Sequence, residues 1–147
     1  MGVKNIPQDK IKGIENLTRA AKKGHFQAAY NLVEEFYCCS QKRGFWESSE
    51  KTADEDKTIE FCQMAFKLNP KANLAPYFVG KIYESRIGLF FTDPEMKKQA
   101  VLYYLFAAVA GCQPAKEALR NLKIESTDYK RLLKEMIIEE KKIMKER

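Results

Sequence analysis

Histidine occurs once in this chain, at His25, and no two of its four cysteines form a Cys-x-x-Cys pair. A structural zinc site draws four such ligands at close spacing, so no metal is expected. The Gly-x-x-x-x-Gly-Lys-Ser/Thr phosphate loop, the Gly-x-Gly-x-x-Gly turn and the Gly-x-Ser-x-Gly elbow are all missing. The acidic residues show neither the spacing nor the central glycine of a calcium loop. His25 follows Gly24 directly, where a surface or helix-start role fits better than general-base chemistry. No catalytic residue and no cofactor is assigned, and the chain reads as non-enzymatic.

Long hydrophobic runs are also scarce. The longest, residues 100–111, is too short to span a bilayer and reads as a buried core helix, so no membrane insertion is expected. No apolar stretch follows Met1, and Ile6 stands where a myristoylation signal wants Ser or Thr. A cytoplasmic location is the simplest expectation. Cys38 and Cys39 are adjacent, while Cys62 and Cys112 stand alone. Reduced core thiols fit this usage, and a bridge from Cys38 to Cys62 across a helix pair stays open. Only seven glycines and five prolines interrupt abundant Ala, Leu, Lys and Glu, a composition that favours helix.

What is present is a repeated pattern, Ala-Ala-x-x-Gly-x-x-x-Ala-x-x-x-Leu. It falls on Ala20, Ala21, Gly24, Ala28 and Leu32, and again on Ala107, Ala108, Gly111, Ala115 and Leu119. The spacing predicts a helix that ends in small residues, a glycine stop, and a second helix opening on a small residue. Small residues let two antiparallel helices approach closely, and glycine supplies the left-handed conformation that ends a helix. A degenerate middle copy would set a period of about forty residues, suited to a helical-repeat array.

Apolar spacing predicts helices over residues 9–23 and 26–39, then a loop over 40–53. Asp54 or a neighbour is expected to cap a third helix ending near Leu68, stopped by Asn69-Pro70. A fourth is expected over 73–85, followed by Gly88 and an apolar loop, Leu89-Phe90-Phe91. Asp93-Pro94 starts a fifth, apolar nearly all round and so expected at the centre, with other helices around it. A short helix over 114–122 and a long one to about residue 145, capped by Ser126 or Thr127, complete the reading. No segment alternates as a strand does. The fold class expected is all-α, a single domain of about six or seven helices.

These residues resemble the Sel1-like branch of the tetratricopeptide-type repeats. That family pairs the small-residue hinge with a following Gly-x-x-Tyr, matched here by Gly80 and Tyr83 within residues 75–83. Gly88-Leu89 resembles its loop pair, and residues 93–100 its next helix start. The resemblance implies antiparallel helix pairs stacked as a short α-solenoid, with repeat-like units over about 9–68 and 73–122 and a capping helix over 126–145. An unrelated helical bundle would also use small residues at tight crossings. Function is likewise an implication of the resemblance: a bacterial adaptor or sequestering module that binds another protein, of the kind that can neutralise a secreted toxin as an immunity partner.

The better binding signals lie in two places, the apolar loop Leu89-Phe90-Phe91, whose place between helices favours packing, and the segment from Phe45 to Asp56. Phe45 and Trp46 follow Gly44 in a polar stretch, and Trp46 is the only tryptophan. Such aromatics either fold back onto the domain, the commoner fate, or stand out as an interface anchor. Glu47, Asp54, Glu55 and Asp56 flank them and suggest an acidic–aromatic patch for a basic partner. The net charge of +6 gathers toward the two ends. Basic terminal helices give a second reading, nucleic-acid binding, but Glu135, Glu139 and Glu140 interrupt the last one and no specific nucleic acid is expected. A third reading lays the last helix on a membrane surface.

Overall fold

Seven α-helices and two single 3₁₀ turns account for most of residues 8–69, 74–89 and 94–145, the residues that the computed structural model describes, and no strand occurs among them. The all-α expectation holds, and most helices adjacent in the chain pack as pairs inside one compact unit. The chain forms two compact units, Met1–Pro70 and Lys71–Arg147.

The first unit contains α1 (Gln8–Lys22), α2 (Phe26–Lys42), a 3₁₀ turn (Phe45–Glu47) and α3 (Ser48–Leu68). Helix α2 lies against both α1 and α3, so its apolar side chains supply much of the core. Ala28, Ala29, Leu32 and Val33 are buried there with Phe61, Cys62 and Ala65 from α3. Phe36 stacks on Phe61 with ring centroids 5.9 Å apart. A fully buried side chain such as Leu32 contributes roughly 1.5–3 kcal/mol. The buried hydroxyls of Ser40 and Thr58 donate to the carbonyls of Tyr37 and Asp54, at 2.7 and 2.9 Å, which removes the cost of burying them unpaired.

The second unit contains α4 (Leu74–Leu89), α5 (Pro94–Val109), α6 (Gln113–Asn121), a 3₁₀ turn (Ser126–Asp128) and α7 (Tyr129–Lys145). Helix α5 lies against α4, α6 and α7, the central place its all-round apolar character predicts. Tyr104, Leu105, Ala107, Ala108, Ala115 and Leu119 are buried in one cluster, closed by Tyr129. The Tyr129 hydroxyl donates to the Lys116 carbonyl at 3.3 Å.

Both copies of the repeated pattern make the same turn. Gly24 (φ 97°) and Gly111 (φ 98°) are left-handed. Gly24 N–H donates to Ala21 O and His25 N–H to Ala20 O, at 3.0 and 3.1 Å. Gly111 N–H and Cys112 N–H repeat this onto Ala108 O and Ala107 O, at 3.0 and 2.9 Å. These paired bonds satisfy carbonyls that a helix end leaves open. Ala21, Ala28, Ala107, Ala108 and Ala115 are buried, and Ala20 is half-buried. A third turn of this kind ends α6 with Lys123 in the left-handed place (φ 63°). Lys123 N–H donates to Arg120 O and Ile124 N–H to Leu119 O, both at 2.9 Å.

Several expected boundaries are corrected. The expected loop over 40–53 is mostly helical: α2 continues to Lys42 and α3 begins at Ser48, with two extended residues and one 3₁₀ turn between them. Ser and Glu at positions 48–50 read as loop residues, yet they are favoured in a helix's first turn, where open N–H groups and the dipole welcome them. Asp54 is therefore inside α3, and Glu47 precedes its first residue. Helix α4 runs through Gly88 to Leu89, where a loop was expected. Phe90, Phe91 and Asp93 lie outside the described residues.

Candidate functional site

The corner between α2 and α3 holds the segment singled out in the sequence. Arg43 leaves α2 in an extended conformation (φ −71°, ψ 137°), and Gly44 continues it (φ −80°, ψ 171°) into the 3₁₀ turn. Glu47 N–H donates to Gly44 O at 3.0 Å, and Glu47 Oε1 accepts from Gly44 N–H at 3.4 Å. The turn is thus closed from both its ends.

Arg43 clamps this corner. Its Nε donates to Asp54 Oδ2 and its Nη1 to Glu47 Oε2, each at 2.9 Å. One guanidinium fork therefore joins the end of α2, the 3₁₀ turn and the second turn of α3. Hydrogen bonds to Asp54 first, then to Glu47, hold the Arg43 pKa above its ordinary value. All three side chains are less than a third exposed, so the pairing is partly shielded from water.

Trp46 stands outside this network. It is 85% exposed, the most exposed large hydrophobic residue among those described. Its indole Nε1, Cε2 and Cζ2 lie 3.4–3.5 Å from where a Cβ on Gly44 would be, so the ring rests beside a residue that has no side chain to hide it. The commoner expectation, folding back onto the domain, does not hold for Trp46. Phe45 opens the 3₁₀ turn, and its side chain lies outside the described residues.

The acidic flank is dispersed. Glu47 and Asp54 are drawn onto Arg43, and Glu55 is only 5% exposed. Asp56 is exposed, and Glu60 pairs with Lys57 at 3.1 Å. The segment is an exposed indole on a charge-paired corner, whose acidic side chains are largely engaged within the protein. Sequence reading missed Arg43, which stands beyond the end of α2, where the spacing rule of a helix surface does not reach it.

Other candidates fall away from this corner. His25 is exposed and precedes α2, with its carbonyl accepting from Ala29 N–H at 3.2 Å. All four cysteines are free thiols. Cys62 is buried, and loss of solvent pushes its thiol up to about 12. Cys39 is also raised, by burial first and by the nearby Glu35 carboxylate, which accepts from its Sγ at 3.8 Å. Among the described residues no group of three or more His, Cys, Asp and Glu side chains is placed to hold a metal. No helix among them is long and apolar enough to cross a membrane. No family model, curated protein or solved structure matches the chain.

Proposed function

We propose that this chain is a protein-binding helical module, an adaptor or sequestering protein of the cytoplasm, and that Trp46 is its principal anchor. The observation that carries the reading is an indole 85% exposed on a corner already ordered by the Arg43 clamp. Tryptophan is enriched among residues that dominate binding energy, and an anchor held in place before binding loses little freedom on association. With Glu47 and Asp54 engaged by Arg43, recognition rests on apolar contact with a pocket in the partner, and charge steering is secondary. Neutralisation of a secreted toxin, as the Sel1-like resemblance implies, is one use such a module would serve.

A photo-crosslinker at exposed Ser49, beside Trp46, tests this reading against one at exposed Lys81. Ser49 should capture a protein that Lys81 does not, and the purified partner should shift the emission of Trp46 to the blue. Equal capture at both positions, or tight binding of random nucleic acid at physiological salt, would replace the reading.

A further inference from the structure

Helix α7 segregates its charges. Glu139 and Glu140 turn toward α5, where they meet Lys98 Nζ at 3.0 Å and Gln99 Nε2 at 3.1 Å. Glu135 accepts from Arg131 at 3.3 Å. The acidic residues that interrupt the basic run in sequence are therefore drawn aside. Lys130, Lys134, Lys141 and Lys145 fall on one line of the helix at helical spacing, and all four are exposed. None of them pairs with a carboxylate among the described residues.

Branched aliphatic side chains border this line. The open face along it carries Lys130, Leu133, Lys134, Ile137, Ile138 and Lys141, with no described residue outside α7 taking part. Ile138 is 57% exposed, whereas Leu132, Leu133 and Met136 rest on the unit's core. A helix that spends one apolar face on its own core has little reason to carry a second among lysines.

We propose that this face of α7 docks in the plane of an anionic lipid surface. Lysine ammonium groups match phosphate and carboxylate headgroups, while their stems and Ile137 and Ile138 reach the acyl boundary. A nucleic-acid backbone would satisfy the lysines alone, and the face has no aromatic ring for bases to stack on. A second copy of this chain would bring like charges together.

Vesicle flotation of the full chain tests the proposal, using phosphatidylcholine alone or mixed with phosphatidylserine. The chain should float with the anionic vesicles and not with the neutral ones. Lys134→Glu with Lys141→Glu should weaken that binding at least about tenfold, and Ile138→Asp should remove what survives raised salt. These positions are exposed, and an unchanged helical circular dichroism signal confirms the fold of each variant. Trp46→Ala should float normally, which keeps this surface separable from the Trp46 anchor. Equal flotation on both vesicles, or charge-reversed protein floating like the parent, overturns the proposal. So does duplex DNA binding lost in the same variants without any vesicle binding.

Discussion

Gly80 on α4 meets the ring of Tyr104 on α5 so closely that a Cβ at Gly80 would stand 2.6 Å from Tyr104 Cδ1. Tyr104 is fully buried, its hydroxyl donates to Glu84 Oε1 at 3.2 Å, and Tyr77 sits beside it at 5.9 Å. The ring has nowhere to retreat. Gly80→Ala should therefore cost roughly 1–3 kcal/mol by overpacking, against about 1 kcal/mol regained because alanine favours helix. The melting temperature should fall, and the same substitution in a Tyr104→Leu background should cost less. Equal costs in both backgrounds would show that the crossing is not the constraint.

The three helix-ending turns give a prediction of opposite signs. A Cβ at Gly111 would meet nothing within 4 Å, so only its positive φ asks for glycine. Gly111→Ala should destabilise by about 1 kcal/mol, and Lys123→Gly should stabilise by a similar or smaller amount, because an L-residue is strained there. Urea unfolding midpoints measure both. A loss of stability in Lys123→Gly would mean that the lysine side chain contributes more than its backbone strain costs.

Tight packing at the repeated hinge is tested by Ala108→Leu. Ala108 is buried in the cluster of the second unit, so added methylenes should cost ~1–3 kcal/mol. An unchanged melting temperature would remove the reason for a small residue there.

What the sequence made legible was set by short-range rules. Gly24 and Gly111 announce their turns because few other residues take a positive φ cheaply. Lys123 makes the same turn without the glycine, so no pattern reveals it. The corner after α2 was misread because Ser48, Ser49 and Glu50 look like loop residues until the first turn of α3 gives their polar groups partners. The candidate site was half legible. Trp46 stands out by being alone, but its exposure shows only in the fold, and the fate of Asp54 and Glu47 depends on Arg43 closing from the end of α2 onto the 3₁₀ turn and α3. Such closure joins residues that helical spacing alone does not pair.

Arg43 gives a prediction local to that corner. The clamp is only partly shielded, so Arg43→Met should cost no more than about 1 kcal/mol of stability. It should release the 3₁₀ turn, and the fluorescence anisotropy of Trp46 should fall. Unchanged anisotropy would mean that backbone bonds alone hold the corner.

Alkaline pH should weaken the fold through Cys62. Burial raises its pKa from 9.0 to about 12, so the folded chain retains a proton that the unfolded chain gives up. Stability from this group is complete below pH 9.0 and is lost as pH rises toward about 12. The urea midpoint should fall across that range, and less so in Cys62→Ala, which starts lower because it leaves a cavity. An identical slope in both proteins would assign the alkaline loss to other groups.

The protein-binding account depends most on Trp46, and calorimetric titration of the crosslinked partner against parent and Trp46→Ala protein tests it directly. The indole is 85% exposed, so removing it should leave the melting temperature nearly unchanged. Affinity should nevertheless drop by ~2 kcal/mol or more. Equal affinity for the two proteins, at equal folded fraction, would contradict the account and move the binding surface away from the α2–α3 corner.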